Sequence, residues 1–223
     1  MPSLTVENYL KSILQLAIEE GTEWVSPGRL ATALEVVPGT VTNMLKTLSE
    51  SGLAKYKPYS GVCLTKEGRT LALRMIRRHR LLELFLVRTL DLKWDQVHAE
   101  AENMEHAVSD ALIDRIDEFL GHPETDPHGD PIPSANGDMR GERGTAVSLV
   151  DCSPPAEVRV SRVLNQTPDF LRFLADKGLR PGARLAVEQH SPEAGVVTVR
   201  IEGASVTLGH EAAGNVLVEP TAN

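Results

Sequence analysis

The chain has 223 residues, of which 41% are hydrophobic and 24% charged, the composition of an ordinary globular protein. It has no run of about 18 apolar residues, and its N-terminus lacks a basic start followed by an apolar core, so we expect neither a membrane span nor a signal peptide. Cys63 and Cys152 are too few and too far apart to predict a disulfide framework or a zinc site. A reducing, cytoplasmic location is the simplest interpretation.

The net charge of −8 is unevenly distributed along the chain. Residues 1–90 hold 12 Lys and Arg against 8 Asp and Glu, whereas residues 91–130 hold 2 against 12 and the remainder 9 against 11. The uneven distribution of charge is more informative than the net charge, because a basic N-terminal part is compatible with nucleic-acid binding although the whole chain is acidic. Two solvated faces of opposite charge are the alternative.

The first part of the chain predicts three helices. Apolar side chains recur at helical spacing over residues 4–20. Ser26 and Pro27 are typical of the start of a second helix, and residues 40–51 form a third that stops at Gly52. Two short helices separated by a turn, the second polar at its start, are typical of a helix-turn-helix.

The segment LAKYKPYSGVCLTKEGR, residues 53–69, alternates and turns at PYSG, which predicts a two-stranded wing. Basic residues interleaved with tyrosines on such a hairpin suit the phosphate backbone of DNA. The order helix, helix-turn-helix and basic wing therefore favours a winged helix. A small helical domain with a solvated hairpin is the alternative.

The rest of the chain predicts a helical region followed by a β domain. Two long helices are expected, over residues 66–90 and over residues 93–120, the second ending at Gly121. Residues 121–144 are rich in Pro, Gly, Asp and Asn and predict a linker. Six short Val-rich runs and one short helix follow, which predicts a small β-barrel of about 75 residues. The fold class is therefore mainly α with a β C-terminal domain.

The segment HAEAENMEH, residues 98–106, gathers two His and three Glu without a Lys or Arg. At 100° per residue, one helical face that borders the apolar stripe would carry four of these side chains, while Glu100 would point away. The four are His98, Glu102, Glu105 and His106. Titratable groups at the edge of a core need partners, so this face predicts a divalent-cation site. A solvated acidic face is the alternative.

His79 and Glu83 form a second candidate pair, because their i, i+4 spacing places them on one face of the preceding helix. An ordinary helix pair is the alternative. We find no Glu three residues before a His, as di-iron sites need, and no metalloprotease, Ser-hydrolase or phosphate-loop motif. We therefore expect a metal that is sensed or structural, and no enzymatic activity.

The chain resembles the family of the diphtheria toxin repressor and the manganese transport regulator, which are metal-dependent repressors. The resemblance covers nearly the whole chain and is carried by TVENYLKSI, PGTVTNMLKTL, LTKEGRTLA, RRHRLLELFL, VHAEAENMEHAVSD and GDPIP. It implies a winged helix-turn-helix DNA-binding domain (residues 1–72), a helical metal-binding and dimerisation domain (73–122), a linker (123–144) and an SH3-like, FeoA-like domain (145–223). It also implies a cytoplasmic homodimer that binds palindromic double-stranded operators of metal-uptake and metal-homeostasis genes, with Mn(II) or Fe(II) as corepressor.

The resemblance further implies two metal sites. The primary site is implied to contain Asn8, Glu102, Glu105 and His106, and the ancillary site to contain His79, Glu83 and His98 with Gln166 and Asp169 from the C-terminal domain. Iron-type members have Cys at position 102 and manganese-type members a carboxylate, so Glu102 favours Mn(II), with Fe(II) as the alternative. Asn8 departs from both branches, which have Met or Asp. Lys11 stands where short manganese regulators have Glu.

For DNA contacts we predict two groups of residues. Thr40, Thr42 and Asn43 are expected at or near base edges, and Arg29, Lys46, Lys55 and Lys57 at phosphates. In this hypothesis, a metal that ties the first helix to the dimer core fixes the spacing of two recognition helices in successive major grooves. The competing hypothesis is a metal-buffering or structural-metal protein with no role at DNA.

Overall fold

The structure is a computed structural model that describes residues 3–141 and 146–221. Its helices are α1 (Leu4–Glu19), α2 (Pro27–Ala33), α3 (Pro38–Glu50), α4 (Lys66–Leu90), α5 (Val97–Glu105), α6 (Asp110–Phe119), α7 (Pro168–Asp176) and α8 (His210–Gly214). Its strands are β1 (Ala54–Lys57), β2 (Gly61–Leu64), β3 (Val147–Ser148), β4 (Ala156–Val163), β5 (Arg184–Ser191), β6 (Val196–Ile201), β7 (Ala204–Gly209) and β8 (Val216–Pro220). None of the helices described is long and apolar enough to cross a bilayer.

The chain forms two compact units. The first contains residues 1–79, 105–108 and 133–139, and the second contains residues 80–104, 109–132 and 140–223. Each unit has a hydrophobic core of its own, so each is described by itself.

Local sequence explains where the first three helices begin. Ser3 caps α1 by accepting a hydrogen bond from the backbone N–H of Val6, and Ser26 caps α2 in the same way. Helix α3 begins at Pro38, two residues before the expected start at residue 40. Proline has the backbone angle of a first helical residue and lacks only a donor that would be unpaired there, so it extends the helix.

The predicted wing is present in the first unit as the antiparallel pair β1–β2, with Ala54 opposite Leu64. Gly61 has a φ of +113°, and a Cβ at this position would lie 2.5 Å from the carbonyl oxygen of Val25. Glycine is therefore required where the wing approaches the segment before α2. The bridge between Val25 and Val62 fixes the base of the wing.

A continuous core holds the helix-turn-helix and the wing together. It is built from fully buried side chains of α1, α2, α3 and β2, including Leu10, Ile13, Leu30, Leu45 and Val62. Burying one such side chain contributes roughly 1.5–3 kcal/mol. With its apolar face against this core, α3 presents its polar residues to solvent.

The prediction of one long helix over residues 93–120 is wrong, because the structure has two helices, α5 and α6, in this region. Ser109 is the N-cap of α6 and accepts a hydrogen bond from the backbone N–H of Leu112 at 3.3 Å. A serine cap starts a new helix rather than continuing the old one. His106 therefore lies beyond the end of α5, and the 100° spacing applies only as far as Glu105.

The second unit contains a six-stranded antiparallel sheet with strand order β3-β8-β4-β5-β6-β7. All six predicted runs form strands, and the predicted short helix is α7, whereas α8 was not predicted. Alternate residues such as Val158, Val160, Val197 and Val199 are buried, and Leu171 of α7 packs into the same core. The fold class of a helical N-terminal region with a β C-terminal domain is confirmed.

The predicted linker is not a solvated tether over its whole length. Asp126, His128, Asp130 and Ile132 are all buried. Gly129 has a φ of +88°, and a side chain at this position would overlap the backbone of β4. Turn-forming residues thus shape a segment that packs on the sheet, while residues 142–144 of the predicted linker lie outside the described residues.

Candidate metal centres and nucleic-acid interface

Glu105, the last residue of α5, lies at the centre of a charged cluster in the first unit. Its side chain is 1% exposed, with Oε1 2.6 Å from Nζ of Lys11 and Oε2 2.5 Å from Nδ1 of His79. Burial acts to raise the pKa of the Glu105 carboxyl, but the hydrogen bond from His79 and the charge of Lys11 outweigh it, so the pKa lies below its ordinary value. Glu105 is therefore a buried, ionised carboxylate that contacts two basic side chains.

His106 faces Glu105 and the first helix. Its Nε2 is 3.5 Å from Oε1 of Glu105, and its Nδ1 is 2.8 Å from Oε2 of Glu7. A carboxylate can only accept this hydrogen bond, so Nδ1 carries a proton, and Nε2 is the ring nitrogen that faces Glu105. Glu7 was not predicted as a site residue. Its position one residue before Asn8 was the available sequence signal.

Asn8 supplies the atom that best tests whether a cation fits here. Its side-chain oxygen Oδ1 is buried and has no hydrogen-bond partner. A buried polar oxygen without a partner is costly, and coordination to a cation would satisfy it. The donor set of amide oxygen, carboxylate and imidazole suits Mn(II) or Fe(II).

In the second unit, Glu83 of α4 and His98 of α5 form a pair, with Oε1 of Glu83 3.2 Å from Nδ1 of His98. Glu102 lies one turn beyond His98, and its Oε1 is 3.6 Å from Nε2 of that histidine. Glu83 is 1% exposed, whereas His98 and Glu102 are half exposed. His79 lies one turn before Glu83 on α4, so the two share a helical face.

The structure places the two predicted ligands from the C-terminal region in other contacts. Gln166 donates a hydrogen bond from Nε2 to Oδ2 of Asp130 at 2.7 Å. Asp169 is exposed at the start of α7 and pairs with Arg172. Their role as metal ligands stays a prediction.

A further cluster in the second unit was missed by sequence reasoning. Glu83, Asp126 and His128 are fully buried, and one donor atom from each lies within 4.8 Å of the others. Nε2 of His128 is 2.8 Å from the carbonyl oxygen of Trp94, so it donates a proton there. Nδ1 of His128 has no hydrogen-bond partner and faces Glu83 and Asp126 at 3.8 and 4.0 Å. One imidazole nitrogen and two carboxylates thus converge.

The electrostatics of this cluster follow from its burial. Burial raises the pKa of Asp126 well above its ordinary value, and the carboxylates of Asp130 and Glu83 act in the same direction. Arg80 opposes them, with its guanidinium 3.7 Å from Asp126 and 3.6 Å from Asp130. The sequence signal that could have indicated this cluster is the Asp-x-His spacing of Asp126 and His128. It was missed because the Pro and Gly content of the segment suggested a linker.

The predicted DNA-contacting residues lie on α2, α3 and the wing. Thr40, Asn43 and Lys46 are exposed on α3, whereas Thr42 is half-buried and donates to the carbonyl oxygen of Pro38. On the wing, Lys55 and Lys57 are exposed. These exposed residues of α3 and of the wing are thus polar or basic.

Two predicted phosphate-contacting residues already have partners on the protein. Arg29 pairs with Glu20 at 2.6 Å. The ammonium of Lys57 lies over the ring of Trp24, 5.0 Å from its centroid. Trp24, which sequence reasoning did not single out, therefore positions a wing lysine.

Comparison with known proteins places these features in a family. Residues 1–62 match the N-terminal DNA-binding domain of iron-dependent repressors, residues 65–134 match their metal-binding and dimerisation domain, and residues 147–220 match the FeoA domain. The chain is 35% identical over 227 residues to the iron-dependent repressor IdeR of Mycobacterium leprae, covering 96% of each chain. The chain belongs to the iron-dependent repressor family. It is a metal-dependent transcriptional repressor.

Other similar proteins include both manganese and iron regulators. The chain is 35% identical to the regulator MntR of Lysinibacillus sphaericus over 57% of this chain and 89% of that one. A solved structure described as a manganese-dependent transcriptional repressor in complex with manganese has a TM-score of 0.86 and 41% identity, covering 97% of this chain and 100% of that chain. IdeR of T. acidophilum has a TM-score of 0.77 and 29% identity, covering 99% and 100%.

Proposed function

We propose that this repressor uses Mn(II) as its corepressor, with Fe(II) as the alternative, and binds palindromic double-stranded operators of metal-uptake genes as a homodimer. The observation that carries the proposal is the contact of His106 with Glu105, beside α1, the helix that carries the orphaned oxygen of Asn8 and reaches both residues through Glu7 and Lys11. Asn8, Glu105 and His106 offer oxygen or nitrogen, and none offers the thiolate that would favour softer ions. The primary site would contain these residues and Glu102.

At this primary site, the first helix and residues 105–106 have distinct roles. Glu7 orients the imidazole of His106, which leaves Nε2 for coordination. A bound cation would supply positive charge and bonds between α1, which precedes the reading head, and the end of α5. The cation would thus hold α1 in place, and Asn43 and Lys46 on α3 would contact DNA from the same unit as α1.

We infer a second centre at Glu83, Asp126 and His128. The carboxylates of Glu83 and Asp126 repel one another in this buried cluster, because the pKa of Asp126 stays raised although Arg80 acts to lower it, and a cation among them would relieve that repulsion. The carbonyl of Trp94 orients His128 in the manner typical of metal-ligating histidines. Two carboxylates and an imidazole suit a divalent ion such as Mn(II).

Glu83 would serve two centres. One of its oxygens faces His128 and the other faces His98, so the ancillary set of His79, Glu83 and His98 would adjoin the second centre. Gln166 and Asp169 stay candidate ligands of the ancillary set. We also propose the domain division at residues 72, 122 and 144, in which metal-binding residues follow the DNA-binding domain.

The test is selection of double-stranded DNA from a random library by the purified protein. Separate selections contain Mn(II), anaerobic Fe(II), or a chelator. We expect an inverted repeat to be enriched with metal, most strongly with Mn(II), and size-exclusion chromatography to show a dimer on the selected DNA. Equal enrichment with the chelator would reject the metal switch. Enrichment of no sequence under any condition would favour the metal-buffering hypothesis.

Asp126→Asn is expected to stabilise the protein at neutral pH in the presence of a chelator. Folded Asp126 keeps its proton to a higher pH than the unfolded chain does, so its favourable contribution is complete at acid pH and is lost as pH rises through the folded-state pKa. Asn cannot ionise but still accepts the backbone hydrogen bonds of His128 and Asp130. We expect Tm to rise by about 2–4 °C, which corresponds to about 1 kcal/mol for a chain of this size.

Thermal unfolding from pH 4 to 8 measures this effect. The Tm of the Asp126→Asn variant should fall less steeply with rising pH than the Tm of the wild type. Asp176→Asn on the exposed face of α7 is the matched control. The same Asp126 variant should show a smaller rise of Tm on addition of Mn(II), because one proposed ligand is lost. A lower Tm with chelator together with an unchanged Mn(II) response would contradict the second centre.

A further inference from the structure

Lys11 is a buried lysine at the centre of the proposed primary site. It lies on α1 and is 6% exposed, and its ammonium contacts the fully buried Glu105. Lysine is almost never buried unless its charge is paired, because removing an ammonium from water is costly. Here the paired group is a carboxylate that the proposed metal would also need.

The ammonium contacts a specific oxygen of that carboxylate. Lys11 is 2.6 Å from Oε1 of Glu105, whereas His79 contacts Oε2. Oε1 is also the oxygen that lies 3.5 Å from Nε2 of His106. A cation shared by Glu105 and His106 would therefore need the oxygen that already holds the lysine.

Two positive charges on one buried oxygen repel strongly, because the surrounding protein screens them far less than water does. The α1 face makes two contacts with this region. Glu7 and Lys11 share that face at i, i+4 spacing, so it brings a carboxylate to His106 and an ammonium to Glu105. The Lys11–Glu105 contact thus already links α1 to the end of α5 with a positive charge on Glu105, as a metal would.

We propose that Lys11 is a tethered competitor of the corepressor, which occupies Oε1 of Glu105 and must be displaced when metal binds. This inference rests on the proposed primary site. Lysine suits the role because its four-carbon stem is flexible and its ammonium can turn to water while α1 stays in place. Lys11 thereby lowers the metal affinity and raises the metal concentration at which the repressor responds.

The test is calorimetric titration of the whole protein with Mn(II), without DNA. Lys11→Met keeps the length and apolar stem but removes the charge, so Mn(II) is expected to bind about tenfold or more tightly. Lys11→Arg keeps a charge and should bind within about threefold of the wild type. Lys93→Met, an exposed lysine outside the proposed sites, is the matched control and should not change the affinity.

A second measurement guards against misfolding. With chelator, Lys11→Met should have a lower Tm than the wild type, since Glu105 loses a buried partner, and a larger rise of Tm on addition of Mn(II). Lys11→Gln, which keeps a polar group, is used where the Met variant does not fold and should show the same tighter binding. Unchanged or weaker Mn(II) affinity in the folded variant, or tighter binding by Lys11→Arg, overturns the proposal.

Glu105→Gln, titrated in parallel, distinguishes this inference from the site on which it rests. If Glu105→Gln keeps the Mn(II) affinity of the wild type, the primary site is wrong and the competition is wrong with it. If Glu105→Gln loses affinity while Lys11→Met gains none, the site stands and only the role of Lys11 is rejected.

Discussion

Glu105→Gln is expected to abolish metal-dependent binding to the selected operator while the protein remains folded. Glu105 is fully buried, and Gln has the same shape but no negative charge for a cation. Losing one partner of a buried charge contact costs about 2–5 kcal/mol. We therefore expect Mn(II) affinity to fall by at least about 30-fold. Calorimetry with Mn(II) and fluorescence anisotropy with labelled operator measure the two effects.

Glu100→Gln is the matched control for this experiment. Glu100 is an exposed carboxylate on the same helix, and its removal changes the net charge by the same amount. It should leave both affinities within about twofold, as is usual for exposed charges. Circular dichroism checks that Glu105→Gln still unfolds cooperatively, since Lys11 keeps only a neutral partner. A folded Glu105→Gln protein with unchanged Mn(II) response would exclude Glu105 as a ligand.

The double variant Asn43→Ala with Lys46→Ala is expected to lose operator binding and to keep metal binding. Both side chains are exposed on α3, so the core under the helix is unaffected. A side chain that reads a base contributes about 1–3 kcal/mol of discrimination. We expect operator affinity to fall at least tenfold. The slope of log affinity against log salt concentration should decrease by the amount expected for the loss of about one phosphate contact. Anisotropy titrations at several salt concentrations measure both quantities.

Thr47→Ala with Ser49→Ala, exposed on the later part of α3, is the matched control. Base contacts of this motif come from the N-terminal part of the recognition helix, so this control should bind DNA nearly as the wild type does. If the Asn43 and Lys46 variant bound operator with full affinity, α3 would not be the recognition helix. Normal Mn(II) binding by the same variant separates a DNA-contact defect from a metal defect.

Much of the architecture could be predicted from local sequence. The positions of α1, α2 and the wing follow from apolar spacing, the Ser26 cap and the turn before Gly61, which act over a few residues. The alternating runs of the C-terminal region likewise predicted the strands of the sheet. The boundary between α5 and α6 was missed although its signal was local, because the apolar stripe continued past Ser109 and outweighed one capping residue.

The sequence by itself determined which residue types could bind a metal. The acidic and imidazole side chains of residues 98–106, which have no Lys or Arg among them, are enough to indicate a cation site. The metal-binding and dimerisation family match over residues 65–134 covers this segment. Which atoms face one another did not follow, because helical spacing describes one helix and says nothing about its neighbours.

Only the tertiary structure decided how these groups are paired. Lys11 and Glu105 are 94 positions apart in sequence, and His106 and Glu7 are 99 apart, so no local pattern relates them. Burial of His128 in a segment rich in Pro and Gly depends on packing against the sheet and on the carbonyl of Trp94. The sequence determines which charged side chains are available. Their pKa values and interaction energies depend on burial and on their partners, and both are set by contacts between residues far apart in the chain.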